Sequence, residues 1–230
     1  MFCGMLEVNP KSDQVDKYFG MAKSLRPELE KIDGFVENDR YASLTRPRWL
    51  LSLSSWRDEK SLVRWSVETH HHKIMQAARD RVFADYQMHI GELVADTLLP
   101  SGLALPQQRL DVTETGAGKA ITLLNAKREP EWVKQGGAVG VVKSIRFDPE
   151  TSGVISWDVF EAVTTPGEVI VLVKWSGLAS AETFHRETTF PEGVRLRNIR
   201  VVRDYGMFDR REAPQYFPEV HPKAADANIA

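Results

Sequence analysis

Two spacings alternate along this chain. The opening run "MFCGMLEV" is apolar and is followed by the polar "NPKSD", the pattern of a short buried strand. Val15, Tyr18, Ala22, Leu25, Leu29 and Ile32 then recur three and four residues apart, which lines them along one face of an amphipathic helix. Pro27 interrupts that face, and its missing backbone donor predicts a kink there. "GFVENDRYASL" and "RWLLSLSSW" flank the turn "TRPR" and predict a hairpin. Asp58 is placed to cap the helix that follows, and "ADYQMHIGELVA" supplies a fourth strand.

The same pattern returns later. "YASLTRPRWLLSLSSW", ending at Trp56, and "FEAVTTPGEVIVLVKW", ending at Trp175, both run from an aromatic through Thr-x-Pro and an apolar strand to tryptophan. Their offset of 119 residues also aligns Gly34 with Gly153, Asp39 with Asp158, and "DYQM" from Asp85 with "DYGM" from Asp204. A register held without a gap from Gly34 to Met88 predicts two copies of one fold. Each copy reads as strand, helix, strand, strand, helix, strand, the ferredoxin-like βαββαβ motif. Two helices cover one face of such a sheet, so the bare face needs a partner. The second copy can provide it, which predicts an α+β chain of two tandem domains packed sheet to sheet as an intramolecular pseudo-dimer. The expected divisions are 1–97 for the first domain and 98–118 for a linker rich in proline and glycine. A degenerate second domain over 119–212 and an arm over 213–230 complete the chain.

Composition narrows the function classes. The 230 residues are 42% hydrophobic and 27% charged, as in ordinary globular proteins. Thirty basic against thirty-two acidic side chains give a net charge of −2, with no basic block to recruit nucleic acid or a membrane surface. The single cysteine, Cys3, has no internal disulfide partner. The N-terminal run lacks a basic leader and a small-residue cleavage site, and no stretch has the length of a membrane span. A cytoplasmic location is the expectation.

"LRPELEKIDGFVENDRYAS", "LLSLSSWRDEKSLVRW", the histidine beyond it and "ARDRVFADYQMHIGEL" together resemble the antibiotic biosynthesis monooxygenase superfamily. "IRVVRDYGMFDRREAPQYFP" resembles the end of a family member. The resemblance implies a dimeric α+β barrel, here made within one chain. It implies a monooxygenase less specifically, because these barrels host several chemistries.

Candidate chemistry centres on "THHHKIM". Consecutive helical residues point about 100° apart, so three histidines in a row do not converge on one metal ion, and no metal site is expected. His71 shares a stripe with Met75, Ala78 and Val82, whereas His72 is expected in solvent and His70 at an edge. His71 also stands six residues after Trp65, the position that the resemblance gives to the family histidine. A core histidine with a backbone partner is the competing reading. Trp65 and Met75 are candidate pocket walls, Trp65 with a packing role first. Tyr86 is a candidate helper of the base or a hydrogen-bond partner for a substrate phenolate, against plain barrel packing. Asn38 and Arg79 are candidate substrate contacts, against surface exposure for the first and helical ion pairing for the second. The second copy has Phe190 in the place of His71, so the pocket is expected in the first half only. Arg210 and Arg211 are expected in structural ion pairs.

By resemblance, the leading expectation is a cofactor-independent monooxygenase that oxidises an aromatic or phenolic small molecule with O₂, His71 acting as base. The alternatives are a haem-degrading monooxygenase with His71 as axial ligand and a barrel that binds small molecules without chemistry. No nucleic-acid or membrane partner is expected. The chain is expected to be a monomeric pseudo-dimer, with a further homodimer left open.

Overall fold

The computed structural model describes residues 1–220 apart from 100 and 103. The first half contains β1 (Phe2–Pro10), α1 (Val15–Leu29), β2 (Phe35–Ser43), β3 (Leu50–Trp56), α2 (Glu59–Ser66), α3 (Thr69–Arg81) and β4 (Phe83–Asp96). The second contains β5 (Ala120–Lys127), α4 (Pro130–Ser144), β6 (Val154–Ala162), β7 (Glu168–Trp175), α5 (Leu178–Glu187) and β8 (Arg195–Gly206). The strands close into one barrel in the order β1-β3-β2-β6-β7-β5-β8-β4.

The duplication is visible in small details. Gly34 and Gly153 adopt φ of 88° and 89°, where a Cβ would collide with the hydroxyls of Ser61 and Ser180 respectively. Ser61 and Ser180 are themselves equivalent in the repeat. Each glycine carbonyl accepts from the backbone N–H that follows a sheet tryptophan, Arg57 in one copy and Ser176 in the other.

Face-to-face masking of the two sheets holds, and closure adds pairing of their edges. Equivalent strands meet at both seams: β2 with β6 over Tyr41 to Ser43, and β4 with β8 from Gln87 to Asp96. Asp158 reinforces the short seam by accepting from Ser43, Thr45 and Arg46 across it. Closure pairs β4 with β8 along most of their length, whereas β2 and β6 meet only over three residues each. Alternation along each strand then sorts the side chains. Cys3, Met5, Leu51, Leu53, Ile121, Leu123, Ile170 and Leu172 fill the barrel interior, and separate apolar layers lie between sheet and helices outside it.

Several expectations change here. The single helix expected after Asp58 is two. Asp58 caps α2 by accepting from Ser61 N at 2.8 Å, and Glu68 caps α3 by accepting from His71 N at 2.7 Å. Pro27 falls in the last turn of α1, where the helix stops two residues later rather than running to Ile32. The glycines of "QGGAVG" break α4 at Gly137, whose φ of 53° and ψ of −156° are not helical. The expected linker is bound along the barrel: Thr113 N donates to Val201 O, and Gln108 and Arg109 donate to Glu92. Of the expected arm, residues 213–220 are described and residues 221–230 lie outside the described residues. Among the described residues no helix is long and apolar enough to cross a membrane.

Candidate active site

A cavity of about 120 Å³ lies between the first sheet and α1, α2 and α3. Strand composition explains why the first half keeps this space. The helix-facing positions of β3 are Leu50, Ser52, Ser54 and Trp56, whereas β7 has Val169, Val171, Val173 and Trp175 at the same places. Two small hydroxyls replace two branched side chains, leaving both volume and polarity. In the second half those valines, with Phe147, Phe184 and Trp175, form a packed layer. There α5 is followed by a turn and then β8, so no counterpart of α3 forms, and Phe190 packs 5.5 Å from Phe184.

Five of the six candidate residues line this cavity: His71, Tyr86, Trp65, Asn38 and Met75. His71 comes from the first turn of α3 and stacks on Trp65, with ring centroids 4.2 Å apart at 23°. The residue is half-buried, but its Nδ1 is shielded from water and has no hydrogen-bond partner. Burial lowers the imidazole pKa from 6.5 to about 4, against the pull of the Trp65 and Ser66 carbonyls and the Glu68 carboxylate. His71 is therefore neutral at pH 7. Asn38, expected at the surface, is buried: its amide donates to Ser52 Oγ at 3.1 Å and Leu53 O at 3.0 Å. Its Oδ1 lacks a partner, as do Arg40 Nε and Gln215 Oε1 in residues lining the same cavity. Buried polar atoms are ordinarily satisfied, and four orphans on residues lining one apolar chamber mark a place for a polar ligand.

Arg79 lies just outside the chamber wall. It is 2% exposed and forms none of the expected helical ion pairs. Its Nη1 donates to Tyr86 Oη at 2.6 Å, and its other donors reach the carbonyls of Met207 and Pro218. Arg211 does pair with Asp209 at 2.6 Å, but Arg210 turns inward and donates to Tyr86 Oη and Gln215 O. The arm thus closes one end of the chamber through Gln215 and the buried Phe217. Phe217 also stacks on His72 at 4.6 Å, so His72 is covered rather than solvated. His70 stays exposed, 3.5 Å from Glu28. Sequence reading missed Gln215 and Phe217; the available signal was an aromatic pair in a polar tail after the last strand.

A second polar constellation lies inside the barrel and was also missed. His89 sits with Nε2 3.2 Å from Glu7 and Nδ1 3.2 Å from Asp204, while Lys174 reaches Glu7 at 2.7 Å. Burial alone would lower the His89 pKa and raise that of Glu7. Asp204 and Glu7 together raise His89, and His89 with Lys174 and Arg46 holds Glu7 well below its usual range. Glu7 and His89 occupy inward positions of their strands, a charged pair where alternation calls for apolar side chains. Among the described residues no group of three His, Cys, Asp or Glu side chains is arranged to hold a metal ion.

The model of the family described as antibiotic biosynthesis monooxygenase matches residues 1–77. A protein of Pyricularia oryzae described as jasmonate monooxygenase ABM is 40% identical over 223 residues, covering 95% of this chain and 99% of its own length. An aldoxime dehydratase structure superposes with a TM-score of 0.55 at 9% identity, covering 88% of this chain and 81% of its own. A second, in complex with butyraldoxime, gives 0.53 at 13% identity, with 88% and 79% covered. These two likenesses speak to fold alone. The near full-length match at 40% identity carries the assignment: the chain belongs to the antibiotic biosynthesis monooxygenase family.

Proposed function

We propose that this monooxygenase oxidises a small aromatic or phenolic substrate with an acidic C–H, using the substrate itself and O₂ as the only redox partners, with His71 as the base. The observation that carries the reading is a half-buried imidazole, held neutral by desolvation, whose Nδ1 makes no hydrogen bond of good geometry, in a residue that lines a largely apolar cavity.

The chemistry balances without a further reductant. The neutral imidazole of His71 takes a proton from a methylene whose charge is delocalised onto a neighbouring oxygen. The carbanion gives one electron to O₂, and the two radicals join through a new C–O bond. The imidazolium returns its proton to the resulting peroxide. Loss of the second C–H proton then breaks the O–O bond, leaving a carbonyl and one water. Both methylene hydrogens and one oxygen atom leave as that water. The low pKa of His71 makes it a weak base in the empty site, but an oxyanion formed nearby favours its protonated form and narrows the gap during transfer. Trp65 holds the ring in place by stacking, and Met75 with Ile74 excludes water from the charge that develops.

A phenolic tricyclic ketone is the substrate class to which this logic applies most directly. Jasmonate, named in the description of the Pyricularia oryzae relative, also has C–H groups acidified by a ring ketone and belongs in the same test. Each compound is incubated with the protein in deuterated buffer without O₂, and proton exchange is followed by NMR. Exchange at the acidic carbon of at least one compound, lost in His71→Ala, is expected. Exchange equal in His71→Ala and wild type would remove His71 from the role of base.

A further inference from the structure

The hydroxyl of Tyr86 is held by two guanidinium groups. Arg79 from α3 donates to Tyr86 Oη at 2.6 Å, and Arg210 from the arm donates to the same oxygen. Among the described residues neither arginine has a carboxylate within ion-pair distance, although Arg79 is 2% exposed and Arg210 is half-buried. Burial, together with Arg79, holds the Arg210 pKa below its usual value against the opposing pull of Tyr86 and Tyr205. Two cations therefore face one phenol with no counter-charge, an arrangement that is costly unless an anion joins it.

The hydrogen-bond inventory fixes what the phenol can do. A tyrosine hydroxyl has two lone pairs and one proton. Both lone pairs are engaged by the arginines, so the O–H is left only as a donor. Among the described residues no hydrogen bond uses it as a donor, and Tyr86 is one of the residues that line the cavity. A phenol whose lone pairs are both engaged offers a ligand its O–H alone.

We propose that Tyr86, with Arg79 and Arg210 as its positioning residues, forms an oxyanion site: its O–H binds the negatively charged oxygen of the substrate at the arm end of the cavity. This rests on the reading of the cavity as the substrate site and assigns its chemistry at a second point. The substrate must carry an oxygen that bears charge, either developing next to the carbon that His71 deprotonates or permanent, as in a carboxylate. Removing one pre-organised oxyanion donor typically costs about a hundredfold or more in turnover.

The test is a binding titration that needs no turnover. 4-Nitrophenol is added to the intact protein across a pH series, and the phenolate absorbance of the bound probe is followed. Phenolate bound at least tenfold tighter than phenol moves its ionisation midpoint down by about one pH unit. That shift is expected in wild type and in His71→Ala, reduced in Arg210→Gln, and lost in Tyr86→Phe. Arg210→Gln changes the arm rather than the sheet, so it decides the matter if Tyr86→Phe does not fold. An unshifted midpoint in wild type, or a full shift in both variants, would overturn the site. Benzoate competition separates the two sources of the charged oxygen. Displacement of the probe that depends on Tyr86 assigns the site to a permanent carboxylate, and absence of displacement assigns it to an oxygen charged during reaction. Turnover that survives in His71→Ala would instead refute the base, whatever the probe reports.

Discussion

Acid should unfold this protein through His71 in a way that a single substitution removes. The imidazole titrates near 6.5 when the chain is unfolded and at about 4 in the folded state, mainly because burial penalises the cation. Between those values the unfolded chain binds a proton that the folded chain refuses, so stability falls as pH drops. The loss begins near pH 6.5 and levels off below pH 4. From this shift, the linkage relation gives a loss of about 2.5 kcal/mol between pH 7.5 and pH 4.5. For a chain of this size that corresponds to a fall in melting temperature of about 5–10 °C. The assay is thermal or urea unfolding of wild type and His71→Gln at both pH values. Other acidic and basic groups titrate equally in the two proteins, so the difference between them isolates the imidazole. Wild type should lose about 2.5 kcal/mol more than His71→Gln over this interval. Equal losses would show that the imidazole is hydrated in the folded state, and the argument for a neutral, poised base would fail. The same pKa places the acidic limb of kcat/KM near pH 4 rather than 6.5.

The remaining predictions concern the frame around the site. Gly91→Ala places a Cβ 2.5 Å from Arg200 O across the β4–β8 seam, and urea titration should show a loss of about 1–3 kcal/mol from overpacking. Phe217→Ala removes the buried stacking partner of His72. It should raise amide exchange in residues 69–75 and in the arm, with a stability loss of up to about 3 kcal/mol. His89→Gln removes a cation whose folded pKa is raised by Asp204 and Glu7 against burial. Its destabilisation, of about 3–5 kcal/mol for a broken buried pair, should be full below pH 6.5. It should shrink as pH rises through the folded pKa of His89. A deficit that grew with pH would mean that His89 is neutral in the barrel.

The frame was far more legible in the sequence than the site. Period-two and helical spacings, with a gapless repeat, carried the succession of strands and helices along each half and the need for two halves. The Trp56 and Trp175 strands and the Gly34 and Gly153 turns marked equivalent positions before any contact was known. Edge pairing at the two seams was not legible, because it depends on how strongly each sheet coils rather than on residue type. Around the cavity, stripe arithmetic brought His71 and Met75 to one face, the family resemblance tied Trp65 to His71, and the substitution of Ser52 and Ser54 for valines was readable from the repeat. The contributions of Arg79 and Arg210 were not. Charged side chains near carboxylates in sequence are normally read as ion pairs, and only the fold shows that both turn inward to one phenol. Asn38 was lost for a similar reason: in "ENDR" it looks like surface, yet strand alternation places it on the helix-facing side.

The most direct test of the account is oxygen uptake by protein dialysed against chelator, with the phenolic tricyclic ketone or jasmonate as substrate and no added cofactor. One O₂ consumed per substrate oxidised, with uptake abolished in a folded His71→Ala variant, is the predicted result. Uptake that appears only after metal or hemin is added, or that persists in His71→Ala, would contradict it.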